Sequence, residues 1–369
     1  MQTLIPIHST YIHSSAKEIV NNVIDTTWLS EGIKVKEFEN QLFQKLGIIN
    51  PVALNSGTSA LHLSMVLAGI KEGDEVICPA QTFIASALVV VQQGAKPVFA
   101  DINYNTGNID PKSIEQKITE KAKAILVVHW GGMPCDMDEI HAIAKIHNLI
   151  VIEDAAHAPG ATYKGNFIGS ISDYTCFSFQ AIKHITTGDG GAIACKNDEK
   201  KNEAITKRWF GIDRANSKPS ILGERQYDIN SIGFKYHLND FSATLGLANI
   251  SDINERLLWL RETAKYYRKE LQNISGIELW DCPADRESSW WLFGMHVENR
   301  NNFIQAMADR GITTSVVHQG IDTKSIFGGI DESLINQRKF DQSQIHIPLH
   351  NGLSEEQTNY IVESIKRGW

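Results

Sequence analysis

Short apolar runs alternate with stretches of helical periodicity along the first half of the chain. The apolar runs predict strands at residues 51–54, 75–78, 97–100, 124–128 and 149–153. Apolar residues at helical spacing predict helices at residues 57–69, 83–93, 111–119 and 137–147. Strands that alternate with helices usually pair in parallel, because each helix carries the chain back across the sheet. This half therefore predicts a large α/β domain with a mostly parallel sheet.

The pattern changes at about residue 251. A long charged helix is predicted from Asp252 to Leu271, followed by a strand from Trp290 to Val297 and then by a helix, a strand and a helix. We expect a large domain over residues 1–250, which includes the N-terminal segment, and a smaller α+β domain over residues 251–369.

Composition narrows the class of protein. The chain has 369 residues, of which 42% are hydrophobic, enough for two cores. Its net charge of −8 argues against nucleic acid as a partner. No apolar run reaches the about eighteen residues needed to span a bilayer, and the N-terminus lacks a basic region followed by an apolar core. We therefore expect a cytoplasmic protein that does not enter a membrane.

The cysteines are odd in number and scattered, which fits a reducing compartment. None of them are paired at metal-ligand spacing, so no metal site is predicted. They are Cys78, Cys135, Cys176, Cys195 and Cys282.

The residues that indicate chemistry are Lys183 and Asp154. Lys183 lies in the loop from Phe177 to Gly191, which is rich in serine, threonine and glycine, and Asp154 ends an apolar run. Taken alone, Lys183 would be a surface residue and Asp154 a helix cap or a solvated turn. Pyridoxal phosphate, however, needs an amine for its aldehyde and a carboxylate beside its ring nitrogen. Because ligands bind at the carboxyl ends of parallel strands, the pair predicts a pyridoxal phosphate site.

Two further segments follow predicted strands. The turn Ser56-Gly57-Thr58-Ser59 begins a predicted helix, and the free N–H groups of its last three residues would suit a phosphate dianion. The alternative is an ordinary helix N-cap. Phe83 follows the next strand and is either a ring that stacks on a pyridine or a core residue.

With these motifs in order, the chain resembles a known family, the DegT/DnrJ/EryC1/StrS aminotransferases. The resemblance covers nearly the whole chain and implies a fold-type I α/β architecture, pyridoxal 5'-phosphate as cofactor and keto-sugars as substrates. It rests on five motifs in the family's order: Trp28-Leu29-Ser30-Glu31-Gly32 with Phe38-Glu39, the Ser56-Gly57-Thr58 turn, Glu153-Asp154-Ala155-Ala156-His157, the lysine loop, and Gly233-Phe234-Lys235-Tyr236-His237-Leu238-Asn239-Asp240.

The resemblance implies a catalytic role for three residues. Lys183 is expected to form the Schiff base, Asp154 to pair with the ring nitrogen, and His157 to lie beside the ring oxygen. Phe83 is expected to stack on the ring.

It also implies how the phosphate is held. Gly57, Thr58 and Ser178 are expected to contact it. In relatives the residue that matches Asn239 reaches the phosphate of the neighbouring subunit, so the resemblance implies a homodimer with shared active sites.

One branch of the family consists of 3-dehydrases, which carry histidine where the lysine should be. The position of the imine is the fourth residue after Phe179, which is Lys183, and His184 comes one residue later. This count favours the aminotransferase. His184 departs from the usual Asn or Thr after the lysine, and two interpretations stay open: a residue of the substrate pocket or a structural histidine.

The expected substrates follow from the resemblance. The expected amino donor is L-glutamate. The sequence around Lys183 is most similar to that of enzymes that act at carbon 4 of a nucleotide-linked 4-keto-6-deoxyhexose. Such a reaction serves the biosynthesis of surface polysaccharides or other glycans. A 3-keto nucleotide sugar, a cyclitol ketone or a small phosphorylated ketone are the alternatives. A non-catalytic regulator that binds pyridoxal phosphate is disfavoured, because the acidic chain has no room for a nucleic-acid-binding module.

Charges in a polar segment are candidates for binding the nucleotide. Residues 211–232 lack periodicity and predict a loop near the substrate. Arg214 and Arg225 in this loop, with Lys235 after it, could bind a diphosphate, the alternative being solvated loop charges. Trp290-Trp291 either stacks on a base or belongs to the core.

Overall fold

The computed structural model describes residues 4–369. Its α-helices, in chain order, are α1 (Ala16–Asp25), α2 (Ile33–Leu46), α3 (Gly57–Leu67), α4 (Ala85–Gln92), α5 (Pro111–Gln116), α6 (Met137–His147), α7 (Asp198–Lys207), α8 (Asp240–Ile250), α9 (Ile253–Leu271), α10 (Arg300–Asp309), α11 (Ile335–Ser343) and α12 (Glu355–Lys366). Its strands are β1 (Pro51–Leu54), β2 (Glu75–Pro79), β3 (Lys96–Ala100), β4 (Ala122–Val128), β5 (Ile150–Asp154), β6 (Thr162–Tyr163), β7 (Asn166–Phe167), β8 (Tyr174–Ser178), β9 (Gly191–Cys195), β10 (Lys218–Pro219), β11 (Arg225–Gln226), β12 (Ile277–Leu279), β13 (Arg286–Glu287), β14 (Phe293–Val297) and β15 (Gln344–Ile347).

The main sheet has seven strands in the order β1-β9-β8-β5-β4-β2-β3. All pairings are parallel except those of β9, which runs antiparallel to β1 and to β8. The predicted mostly parallel sheet is therefore confirmed. Strands β1, β2, β4, β5 and β8 all end at one edge of the sheet, and β9 begins there, so the segments that follow or precede them converge at that edge.

Both faces of this sheet are covered, which explains its nearly continuous apolar strands. Along β4, Ile125 and Val127 pack into one buried cluster, whereas Leu126 and Val128 pack into the other. Helices α2, α6 and α8 contribute to the first cluster, and α3 and α4 to the second. Successive side chains of a strand therefore alternate between the two cores, so the whole strand is buried.

The five strands and four helices predicted from the hydrophobic pattern are all present, with end positions that differ by at most three residues. Strands β8 and β9 were not predicted, because the Ser-, Thr- and Gly-rich residues of the lysine loop interrupt the apolar pattern between them. The predicted strand at Trp290 begins only at Phe293, since Trp290 adopts a left-handed backbone with φ of 52°.

The C-terminal part forms its own core. A three-stranded sheet in the order β12-β14-β15 packs with α9, α10 and α12. Helix α9 joins the two regions: Leu257 packs in the core of the main sheet, whereas Leu260 and Leu271 pack in the C-terminal core. Ile5, near the start of the chain, also packs in the C-terminal core. The division at residue 251 remains a prediction, and this packing places the N-terminal segment against the smaller region.

The predicted loop over residues 211–232 contains a short hairpin of β10 and β11. Gly223 near its tip has φ of 89°, a conformation that glycine adopts without steric cost. The apolar side chains of Ile221 and Leu222 beside it are almost fully exposed.

Candidate active site

A cavity of about 340 Å³ opens at the carboxyl edge of the main sheet, within the usual range for small-molecule sites. Six segments meet there: the turn after β1, the start of α4, the end of β5, the loop after β8, the tryptophan before β14 and the segment before α11. Its lining includes Gly57, Thr58, Phe83, Asp154, His157, Ser178, Lys183, Trp291 and His318.

Asp154 ends β5 and is buried, with 6% of its surface exposed. Its Oδ2 accepts a hydrogen bond of 2.7 Å from the Ser86 hydroxyl, and its Oδ1 accepts one of 3.1 Å from the Ala156 N–H. Burial raises the pKa of Asp154, and these two hydrogen bonds and the charge of Lys183 oppose that rise. A buried carboxylate of this kind gains most from a cationic partner such as a protonated ring nitrogen.

Lys183 lies in the loop between β8 and β9 and is partly buried. The Phe179 N–H donates to Gly190 O, and the Thr187 N–H donates back to Phe179 O, which closes the loop at its base. Burial lowers the pKa of Lys183 to about 7, against the opposing charge of Asp154. A substantial fraction of its amine is therefore neutral near pH 7, the form that attacks a carbonyl or accepts a proton.

The turn after β1 has the form of a phosphate cradle. Ser56 caps α3 by accepting a hydrogen bond of 3.0 Å from the Ser59 N–H, so the first N–H groups of the helix face the cavity edge. A Cβ built on Gly57 would lie 2.8 Å from the Ser178 Cβ, and one on Gly191 would collide with the Ser56 backbone. The glycines thus let the turn pack directly against β8 and β9, which places Gly57 and Thr58, with their free N–H groups, at the cavity, as a phosphate site requires.

His157 and Phe83 fit the cofactor's ring. Nδ1 of His157 is buried and has no hydrogen-bond partner among the described residues, as expected for a group that meets a ring oxygen. Burial places the pKa of His157 well below its ordinary value, so this imidazole is neutral. Phe83 also lines the cavity and is 53% exposed, with its ring centre 5.3 Å from that of His318, so its ring is accessible for stacking.

Six expected site residues do not line this cavity within one chain. Ser59 is buried, and its hydroxyl donates to Asn55 Oδ1. Asn239 caps α8, with its Oδ1 accepting from the Ser242 N–H, which leaves its amide donors for another partner. The other four are His184, Arg214, Arg225 and Lys235.

His184 has the contacts of a structural histidine. Its Nε2 donates a hydrogen bond of 2.9 Å to Ser289 O, and burial lowers its pKa to about 3. It lines a smaller pocket behind Lys183, not the main cavity.

The three expected nucleotide-binding cations lie on the exposed side of the segment after α7. Arg214 pairs with Glu31 at 3.1 Å and lies over Trp209, and Lys235 Nζ lies 3.9 Å from the centre of the same ring. Nη1 of Arg225 donates to Arg214 O and to Ser217 Oγ, which precede β10 in the chain.

Sequence reasoning missed Ser86 and His318 at the site, and it left open whether Trp291 stacks on a ligand's base or belongs to the core. Ser86 was visible beside Phe83, but only the fold brings its hydroxyl to Asp154. Trp291 lines the cavity, with its ring stacked 3.8 Å from that of His157. His318 had no local signal. It follows Val317, whose φ of 55° is strained for a β-branched residue, and buried Gln81 and Gln344 both donate to its carbonyl.

Comparison with models of protein families shows to which family the chain belongs. The model of the DegT/DnrJ/EryC1/StrS aminotransferase family matches residues 10–366. The chain belongs to this family. It is therefore a pyridoxal-phosphate-dependent aminotransferase of fold type I, as the resemblance predicted.

Similar proteins cover almost the whole chain. A GDP-perosamine synthase of Caulobacter vibrioides is 38% identical over 362 residues, which are 96% of this chain and 95% of that protein. The spore coat polysaccharide biosynthesis protein SpsC of Bacillus subtilis is 35% identical over 359 residues, which are 94% of this chain and 92% of that protein. Spr1654 of Streptococcus pneumoniae, described as a candidate sugar aminotransferase, was solved in its PLP form and has a TM-score of 0.90 and 31% identity, covering 99% of this chain and 98% of its own.

When bound, pyridoxal phosphate supplies an aldehyde that condenses with amines and a ring that takes up electrons from the adjacent carbon. Lys183 would hold the aldehyde carbon, Asp154 the ring nitrogen, and Gly57 and Thr58 the phosphate. Among residues 4–369 there is no cluster of three or more side chains able to hold a metal ion, and no helix long and apolar enough to cross a membrane.

Proposed function

We propose that this aminotransferase moves the amino group of L-glutamate to a nucleotide-linked 4-keto-6-deoxyhexose, in the biosynthesis of a surface polysaccharide or other glycan. The observation that carries the proposal is the pair of Lys183 and Asp154 in one cavity, in a chain 38% identical to a GDP-perosamine synthase, whose product is a nucleotide-linked amino sugar. Similarity to a spore coat polysaccharide biosynthesis protein supports the glycan context.

In this proposal the residues divide the work. The neutral amine of Lys183 would hold the aldehyde carbon of the cofactor and, when an amino donor has displaced it, would accept and return the proton of the carbon that bears the transferred amine. Asp154 would stand as a carboxylate beside the ring nitrogen, with Ser86 donating to its Oδ2 at 2.7 Å. His157 would offer its unpartnered Nδ1 to the ring oxygen. The low pKa of Lys183 suits it to proton transfer near pH 7.

We propose further that the active site is shared between two copies of the chain in the cytoplasm. Among the described residues that line the cavity, Lys183 is the only lysine or arginine. A phosphate dianion, the carboxylates of glutamate and a nucleotide diphosphate all need positive partners. Arg214, Arg225 and Lys235 are exposed on each chain, and a second copy could bring them to the cavity with the amide of Asn239.

A panel of ketones tests the substrate. Glutamate and the purified enzyme would be offered a nucleotide-linked 4-keto-6-deoxyhexose, a nucleotide-linked 3-keto sugar, an inosose and a triose phosphate, with formation of 2-oxoglutarate as the readout. We expect the highest kcat/KM for the 4-keto sugar. A higher value for any other ketone would contradict the assigned acceptor, and failure of glutamate alone to convert the bound cofactor would contradict the assigned donor.

A further inference from the structure

The side chain of Trp291 contacts the lysine segment at two points. Its indole Nε1 donates a hydrogen bond of 3.0 Å to Ile182 O, one residue before Lys183. The centre of its ring lies 3.5 Å from Lys183 Nζ, within the range in which an ammonium group is attracted by an aromatic face. Trp291 therefore contacts both the backbone just before Lys183 and the amine at the end of its side chain.

The surroundings leave the indole as the main partner of this amine. Lys183 forms no salt bridge with any residue from 4 to 369, and the Asp154 carboxylate is engaged by Ser86 and Ala156. Two imidazoles lie nearly parallel to the indole, that of His157 at 3.8 Å and that of His8 at 5.3 Å.

We propose that the face of Trp291 is the seat of the free Lys183 amine, holding its ammonium form while the amino group in transfer resides on the cofactor. The proposal rests on the assignment of Lys183 as the lysine that binds the cofactor covalently. Trp291 acts as a positioning residue. A lysine side chain that is free to rotate loses conformational entropy each time it is placed, and a fixed position on the indole avoids that loss at every turnover.

The charge on the amine is set by several neighbours. Burial of Lys183 lowers its pKa to about 7, and the charge of Asp154 opposes this effect. The indole face, 3.5 Å from Nζ, favours the ammonium form as well, because an aromatic face attracts a cation. The imidazoles around it are held neutral, because burial lowers each of their pKa values. The titratable groups that face Lys183 are Asp154, His157, His184, His318 and, from the N-terminal segment, His8.

The test uses cofactor-free full-length protein and three variants. Trp291→Leu removes the aromatic face and the N–H, and Trp291→Phe keeps a face but removes the N–H. Trp280→Leu is the matched control, because Trp280 is similarly buried but packs against Phe340, away from Lys183. The rate at which an amine-reactive reagent labels Lys183 is measured against pH by mass spectrometry, which reports the pKa of this one amine.

We expect Trp291→Leu to lower the measured pKa of Lys183 by about one, so that about tenfold more neutral amine is present at a given pH below the midpoint. Trp291→Phe should lower it less, since a phenyl face still attracts the cation, and Trp280→Leu should leave it unchanged.

Two results would overturn the proposal that the face of Trp291 holds the Lys183 amine. An unchanged pKa in Trp291→Leu would show that the indole does not stabilise the ammonium form. Equal effects of Phe and Leu would assign the role to the hydrogen bond with Ile182 O. Borohydride reduction of wild-type holoenzyme separates this failure from that of the proposed function: label on Lys183 retains the covalent assignment, and label on another lysine removes it.

Discussion

The cavity around Lys183 and the segment from Trp209 to Asn239 differ in the environment of their charged side chains, which are buried in the cavity and exposed in the segment. In the cavity, Lys183 and Asp154 are enclosed by hydrogen bonds and aromatic rings, and burial moves both of their pKa values toward the neutral form. In the segment, Arg214 and Lys235 are exposed and lie over one tryptophan ring.

The difference indicates a division of labour. A single chain preorganises the groups that react, because its own core buries Lys183 and Asp154 and thereby shifts their pKa values. Side chains that recognise phosphate can lie at the surface, because lysine and arginine are cationic near pH 7 without burial. In the proposed dimer, a second copy would bring them to the cavity.

Removal of the reactive amine is the strongest test of this division. Lys183→Ala should abolish turnover, because neither covalent attachment nor proton transfer remains, and the cofactor should stay bound without a covalent bond. Borohydride reduction followed by peptide mass spectrometry measures attachment. A variant that still incorporated the label, or that kept a few per cent of activity, would show that another residue supplies the amine.

Asp154→Asn tests the carboxylate in the same cavity. The cofactor should still bind, but both half-reactions should slow by one to several orders of magnitude, about 1.4 kcal/mol each, because a neutral amide no longer favours a protonated ring nitrogen. Stopped-flow absorbance with glutamate measures the first half-reaction. Rates within about twofold of wild type would exclude this role.

Ser86→Ala probes the support of that carboxylate and should have a smaller effect. Loss of one hydrogen bond to Asp154, of about 1 kcal/mol, should slow the half-reactions about fivefold and raise the pKa of Asp154 further. Because Asp154 would then be protonated at higher pH, the loss should grow as the pH falls. Thr82→Val is the matched control, since the Thr82 hydroxyl contacts Ser86 and not Asp154. An effect of Thr82→Val as large as that of Ser86→Ala would assign the role to the hydroxyl pair as a whole.

Mixed dimers test whether the exposed segment serves a second copy. Lys183→Ala and Asn239→Asp should each be inactive alone, the second because a carboxylate would stand beside the phosphate. Co-refolding should restore up to about a quarter of wild-type activity, since half of the dimers are mixed and half of their sites carry neither change.

A second mixture is the control for this experiment. Lys183→Ala with Asp154→Asn should restore nothing, because both residues come from the same chain in every site. If the first mixture also stayed inactive after subunit exchange was confirmed, Asn239 would act within its own chain.

Much of the fold, and two residues of the site, could be predicted from local sequence. Strands β1 to β5 and the helices between them follow from apolar periodicity, because both faces of the sheet are buried. Asp154 could be singled out because it ends a recognisable strand, and Lys183 because it lies in a loop of small residues. The family resemblance supported both choices, because all five motifs occur in the family's order.

Other features depend on contacts between residues far apart in the chain. Ser86 and Asp154 are 68 positions apart, and Trp291 and Ile182 are 109 apart, so no local pattern could pair them. The sequence of β9 does not distinguish it from the preceding loop, and its antiparallel pairing with β1 and β8 is seen only in the structure. The carbonyl of His318, next to the left-handed backbone of Val317, accepts hydrogen bonds from Gln81 and Gln344, which lie far from it in the chain, and these contacts help to hold His318 at the cavity. Sequence determined which groups are chemically able to react, because chemistry belongs to residue types; tertiary structure decided which of them meet and which are neutral, because burial and distance belong to the fold.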